Sequence, residues 1–185
     1  MRNFDVHTRD VAPWHALITV AEAQEQHCLA PDLSGYLATM LLRYIGRPEF
    51  LHDACARQYI GTALAGDQMP HQSLRDLADR CLLFAGLFPD MVLQGGTPVR
   101  RYVELGRGAY ERLGGAGGIY ARVCEHFVEL MDVLQSIREM QAAGPNLDPL
   151  ATYDLWSSTG SRHAWRNLVT RNGALPVLDE HPQRH

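Results

Sequence analysis

The stretch "RRYVELGRGAYERL", Arg100–Leu113, decides between two very different folds. Its Gly-Arg-Gly, its arginines and the "GGAGG" that follows at 114–118 have the outline of a phosphate-binding loop. A dinucleotide fold, however, sets G-x-G-x-x-G between a buried strand and a helix, so that backbone N–H groups approach the pyrophosphate. Here Gly106 and Gly108 are followed by Ala-Tyr-Glu-Arg, so the third glycine is missing. What precedes them is "TPVRRYVEL", with Thr97 and Pro98 in the N-cap and N1 positions of a helix. On a helical wheel Val99, Tyr102, Val103, Gly106, Tyr110 and Leu113 share one face. The stretch therefore reads as an amphipathic helix over 98–113. Gly106 sits in the middle of its apolar face, where a missing side chain predicts an unusually close neighbouring helix. Gly108 falls on the far side and costs about 1 kcal/mol relative to alanine.

Helical periodicity extends in both directions from this segment, and strand patterns are nearly absent. "SLRDLADRCLLFAGLF" predicts a helix over 70–87, opened by Pro70, with Leu74, Leu77, Ala78, Cys81 and Ala85 on one side. Arg75, Asp76, Asp79 and Arg80 are expected on the opposite, solvated side, as ion pairs worth less than about 1 kcal/mol each. Upstream, helices are predicted over 12–27 (Trp14, Leu17, Ile18, Ala21), from Asp32 or Ser34 to Ile45, and over 48–65. Glu25 falls awkwardly on the apolar stripe of the first. Downstream, a loop over 88–98, a long helix over 118–141 and two short helices over 147–157 and 161–171 complete the expectation. Gly173 is placed as a C-terminal stop. Eight helices with short connections predict one all-α domain over 1–176, a multi-helix bundle, with an irregular tail over 177–185.

Composition narrows the chemistry. The 185 residues suit one domain with a sizeable core, and the net charge of −4 argues against a general nucleic-acid binder. All 17 basic residues are arginine. A Walker A loop, a Schiff-base mechanism and a kinase-type phosphate lysine all need a residue this chain does not have. No apolar run approaches the roughly 20 residues of a membrane span, and the N-terminal residues do not read as a signal peptide. A cytoplasmic location without membrane contact is the expectation. Cys28, Cys55, Cys81 and Cys124 show no paired spacing, so they are read as structural rather than zinc-binding or redox-active.

Three further patterns bear on function. Glu49 and His52 in "EFLH" stand at i,i+3, which puts a carboxylate and an imidazole on one helix face. Ferritin-like di-iron sites use that pair twice, with further glutamates from other helices. It occurs once here, with Glu22 and Glu25 as further carboxylates, so Glu49 and His52 are candidate metal or small-ligand residues and no cofactor is expected. "EHFVE" does not repeat it, because His126 points about 100° away from Glu125. The unit "LWSSTGSRHAWRNLVTRNG" has the outline of a helix-turn-helix, with Arg162, Arg166 and Arg171 on a helix whose start at Ser161 is open to an anion. Two consecutive helices produce that outline by default, and docking through Trp165, Leu168 and Val169 is the expectation. Third, Arg75, Arg80, Arg100, Arg101, Arg107 and Arg112 lie on the polar sides of the helices at 70–87 and 98–113, and arginine is enriched at interfaces.

The order of these pieces resembles a family of uncharacterised bacterial all-helical proteins of roughly 200 residues. The matching segments are "YLATMLLRY" (36–44), "SLRDLADRCLLFAGLFPD" (73–90), "RRYVELGRGAYERL" (100–113), "LWSSTG" (155–160) and the ending marked by Gly173 and Pro176. The resemblance implies the helical layout from the first helix to Pro176 and brings no activity or catalytic residue with it. The expected function is accordingly that of a non-enzymatic accessory or regulatory protein, acting on a protein partner or on a second copy of itself.

Overall fold

The computed structural model describes residues 10–44, 70–114, 117–142 and 147–172. Nine helices and no strand occur among them: α1 (Ala12–Glu25), α2 (Pro31–Tyr44), α3 (His71–Leu87), α4 (Pro89–Gln94), α5 (Val99–Leu113), α6 (Ile119–Glu125), α7 (Phe127–Ala142), α8 (Pro149–Thr159) and α9 (Arg162–Asn172). The architecture is an all-α bundle, as the periodicity predicts. The helix expected over 48–65 and the tail over 177–185 lie outside the described residues, as do Glu49 and His52.

α3 is the hub, packed chiefly between α5 and α7. Its second half, Cys81–Leu87, is buried all round, as a helix must be when neighbours flank it on more than one side. α1 lies against α7 and α2, α6 folds back onto α5, and the α8–α9 pair docks α9 onto α7. One continuous cluster of buried apolar side chains runs through all of them, from Ile18 and Leu37 through Leu82, Tyr110, Phe127 and Leu134 to Ala164.

The close approach at Gly106 is present. A Cβ there would stand 2.5 Å from the Phe127 ring and 2.9 Å from the Cys81 Cβ, so α3, α5 and α7 meet at a point with no room for a methyl. Gly86 of α3 does the same against Leu134, 2.4 Å from its Cβ. A Cβ at Gly108 would have nothing within 4 Å. Gly106→Ala is therefore expected to destabilise the protein by about 1–3 kcal/mol through overpacking. Gly108→Ala should stabilise it by up to about 1 kcal/mol through helix propensity. Thermal melts of the two variants should move in opposite directions, and a shared direction would contradict the packing described.

Several local expectations need correction. The loop expected over 88–98 contains α4, started by Pro89 at N1, a position where the missing N–H costs nothing. Thr97 does not cap α5, whose N-cap is Pro98 with no side-chain hydrogen bond. The long helix expected over 118–141 is interrupted at His126 (φ −95°, ψ 19°), while His126 N–H still reaches Arg122 C=O and Leu130 N–H reaches His126 C=O. α8 is capped by Asp148, whose carboxylate accepts the N–H groups of Leu150 and Ala151, and it ends at Gly160 in the left-handed conformation (φ 75°).

Candidate functional site

Two clusters of buried polar side chains interrupt the apolar core, and both draw their members from helices far apart in sequence. The first surrounds Asp79, which is fully buried in α3 rather than on a solvated face. Its Oδ1 accepts the hydroxyls of Tyr36 (2.5 Å) and Tyr110 (2.7 Å), and its Oδ2 that of Tyr44 (3.3 Å). Arg43 approaches Oδ2 at 3.4 Å and the Arg75 Nε at 3.7 Å. The Arg75 guanidinium lies over the Tyr36 and Tyr120 rings, 5.8 and 5.9 Å from their centroids, a favourable cation–π placement. Burial raises the Asp79 pKa, against hydrogen bonds from Tyr110 and Tyr36 and the charges of Arg75 and Arg43. Burial and the Asp79 charge push the Tyr36, Tyr44 and Tyr110 hydroxyls upward, so they act as donors. Three tyrosine hydroxyls and Arg43 supply four donors to the two oxygens, and the cluster ties α2, α3 and α5 together.

The second cluster joins α1, α7 and α9. Glu25 and His163 are both nearly inaccessible, at 6% and 2% exposure. His163 Nδ1 lies 2.8 Å from Glu25 Oε1, and Nε2 lies 3.0 Å from Glu139 Oε1. Both ring nitrogens face carboxylate oxygens, so both carry protons. Burial alone would lower the His163 pKa, but the two glutamates outweigh it and push it up to about 9. Arg166 reaches the same Glu25 oxygen and also the Gln24 carbonyl. Against the effect of burial, His163 and Arg166 hold the Glu25 pKa below its usual value. Glu25 Oε2 is buried with no hydrogen-bond partner.

Asp132 of α7, pushed up to about 6 by burial, caps α9 from outside the helix. It accepts the Ser161 hydroxyl (2.6 Å) and the N–H groups of Arg162 (2.9 Å) and His163 (3.3 Å), while Ser161 Oγ accepts the Ala164 N–H (3.0 Å). The start of this helix, expected to be open to an anion, already holds one, and Ser161 is fully buried. Beside it opens a cleft of about 170 Å³ between α1, α7 and the α8–α9 turn. Its walls carry Glu25, Glu125, Glu129 and Asp132 together with His27 and Arg162. Glu129 Oε2 is shared by His27 Nε2 (2.9 Å) and His126 Nδ1 (2.6 Å), and those two hydrogen bonds hold its pKa low despite partial burial.

The residues singled out from sequence fare unevenly. Arg100, Arg101, Arg107 and Arg112 are exposed on the outer side of α5. Arg75 and Arg80 are not on that surface: both are half-buried, and Arg75 belongs to the tyrosine cluster. In α9 the buried residues are His163, Ala164 and Leu168, while Trp165 and Val169 are only half-buried. Glu22 serves structure, accepting the Leu29 N–H (3.0 Å) and the Ser34 hydroxyl (2.9 Å) where α1 turns into α2. Cys81 is buried, its thiol pushed up to about 12 by burial, whereas Cys28 is exposed. No set of three or more His, Cys, Asp or Glu side chains is arranged to hold a metal ion among the described residues, and no helix there is long and apolar enough to cross a membrane.

Sequence reasoning missed Asp79 and His163 as buried hubs. The signal for the first was a set of tyrosines (Tyr36, Tyr44, Tyr110) at core positions where phenylalanine would pack equally well. The signal for the second was Glu25 on an apolar stripe, which demands a buried partner. In comparisons with protein-family models, curated proteins and solved structures, the chain matches none.

Proposed function

We propose that the protein is a non-enzymatic accessory or regulatory domain that engages a partner protein through the outer side of α5. The observation that carries this reading is the segregation of that helix. One side buries Val99, Tyr102, Val103, Gly106, Ala109, Tyr110 and Leu113. The other presents Arg100, Arg101, Arg107 and Arg112 to solvent, with only Glu104 and Glu111 as exposed acids among them. Arg101 pairs with Glu104 at 3.1 Å in an exposed contact of little energetic weight. A positive strip on a chain of net charge −4 fits a partner with an acidic surface, since charge complementarity steers encounter and selects partners. A second copy of the chain is one such partner.

The helix-turn-helix outline gains little from the geometry. Arg166 is committed to Glu25, and Arg162 stands on the rim of a cleft with four carboxylates in its walls. Charge reversal at Arg100, Arg101 and Arg107 together is expected to abolish co-purification of the partner, or self-association seen by sedimentation, with the helical circular dichroism unchanged. A triple variant that keeps both its partners and its oligomeric state would end this reading.

A further inference from the structure

The outer side of α8 is apolar where an exposed helix face is ordinarily polar. Leu150 is 77% exposed and Tyr153 43%, and both lie on the side of the helix away from the buried Thr152 and Leu155. The Tyr153 ring meets Trp156 at 5.6 Å between centroids, and Trp156 lies against Trp165 of α9 at 4.8 Å. Both indoles are only half-buried. Three rings thus form a continuous ridge across the α8–α9 pair. An exposed ridge of tryptophan and tyrosine marks a protein contact, because those side chains supply a large part of the binding energy where they are covered.

The charges beside the ridge say what covers it. Trp156 is turned toward α9, and Asp154 stands about 160° round α8 from it, on the far side of the ridge. Arg162 is exposed one turn before Trp165, on the α9 side. Neither Asp154 nor Arg162 makes a side-chain hydrogen bond or ion pair among the described residues. Nearby charges are already committed, Arg166 to Glu25 and Asp148 to the α8 N–H groups. With an unpaired acid on one side and an unpaired cation on the other, the face is complementary to itself. A half-turn about an axis through the tryptophan pair carries Arg162 of one copy over Asp154 of the other, and does so twice. A hydrocarbon surface would leave both charges unmatched.

We propose that the chain forms a two-fold dimer through α8 and α9, the Tyr153–Trp156–Trp165 ridges of two copies packed together and Arg162 of each paired with Asp154 of the other. The two α8 helices then run antiparallel, so Leu150 at the start of one lies toward the end of the other. Aromatic anchors at the centre with charge pairs at the rim are the ordinary anatomy of such an interface. The contact does not use the α5 arginines, so it stands or falls apart from the partner surface described above.

Sedimentation of the full chain against concentration tests the dimer, with thermal melts run alongside to show that each variant is folded. Wild type should show a reversible monomer–dimer equilibrium. Asp154→Arg sets like charges opposite each other at both symmetry-related places and should weaken the dimer by at least about 100-fold. Arg162→Asp should do the same. The double variant carrying both changes, and an equimolar mixture of the two single variants, should associate to within about tenfold of wild type, since each restores both pairs. Tyr153→Ser should weaken the dimer by about tenfold or more. If Arg162→Asp does not melt as a folded protein, Asp154→Arg and Tyr153→Ser, both changes on the outer side of α8, decide the matter. The proposal is overturned by a wild type that is monomeric at every concentration or that binds phosphatidylcholine vesicles instead of itself. It is also overturned by an unchanged dimer in Asp154→Arg or in Tyr153→Ser, or by folded single variants that do not associate on mixing. Charge reversal at Arg100, Arg101 and Arg107 should leave the dimer intact. A dimer lost in that variant and kept in Asp154→Arg belongs to α5 and overturns the proposal while sparing the α5 reading.

Discussion

Asp79→Ala is expected to lower the unfolding temperature by roughly 6–20 °C. Removing one partner from a buried charged cluster costs about 3–5 kcal/mol, and each kcal/mol moves the midpoint by about 2–4 °C at this chain length. The alanine leaves the hydroxyls of Tyr36, Tyr44 and Tyr110 without their shared acceptor and brings Arg43 and Arg75 next to an empty space. Asp79→Asn should cost less than half as much, because it keeps the shape and one acceptor oxygen and avoids burying a charge. The pH dependence separates the two. The folded-state pKa of Asp79 is raised, so its contribution is fully present below the unfolded value of about 3.9 and is lost as pH rises through the folded one. Wild type should therefore gain on Asp79→Asn as the pH is lowered. An alanine variant melting within about 2 °C of wild type would mean that the cluster is not a structural centre.

His163→Ala is the second large effect, again about 3–5 kcal/mol at mildly acidic pH, since it strips Glu25 and Glu139 of the imidazolium between them. Its signature is the opposite of a surface substitution, whose effect on stability hardly varies with pH. The His163 pKa is raised to about 9. The stabilisation it gives is complete below about 6.5, the unfolded value, and is lost as pH rises through 9. Chemical denaturation across pH 6–10 should show the wild-type advantage over His163→Ala shrinking steadily in that window. An advantage independent of pH would show that the ring acts by packing alone.

How much of this was legible beforehand depends on which physical assumption each element obeys. α3 and α5 were readable almost to the residue, because each carries a proline start and a strong apolar stripe. Gly106 was readable because a gap in such a stripe has one common use. Asp79 was not, because a helical wheel assumes one buried side. α3 has neighbours on several sides, and a carboxylate flanked by arginines looks solvated in one dimension. Its burial is decided by tyrosines 31 to 43 positions away, which no local pattern contains. Glu25 was visible as a misfit, yet its partner lies 138 residues further along. The cleft has no sequence signal beyond the acids at 125, 129 and 132, which are indistinguishable from an ordinary wet helix face until α1 and α9 close over them.

That separation of 138 residues has a consequence in time. At a synthesis rate of about 5–20 residues per second, Glu25 leaves the ribosome roughly 7–28 s before His163 follows it. Throughout that interval α1 presents a carboxylate on its apolar stripe with no counter-ion to receive it. Helices α1 to α8 must therefore wait, or assemble around a solvated gap, until α9 arrives to neutralise it. α9 then acts as a latch, and a nascent chain stalled before residue 163 would be the form most exposed to capture by chaperones or proteases.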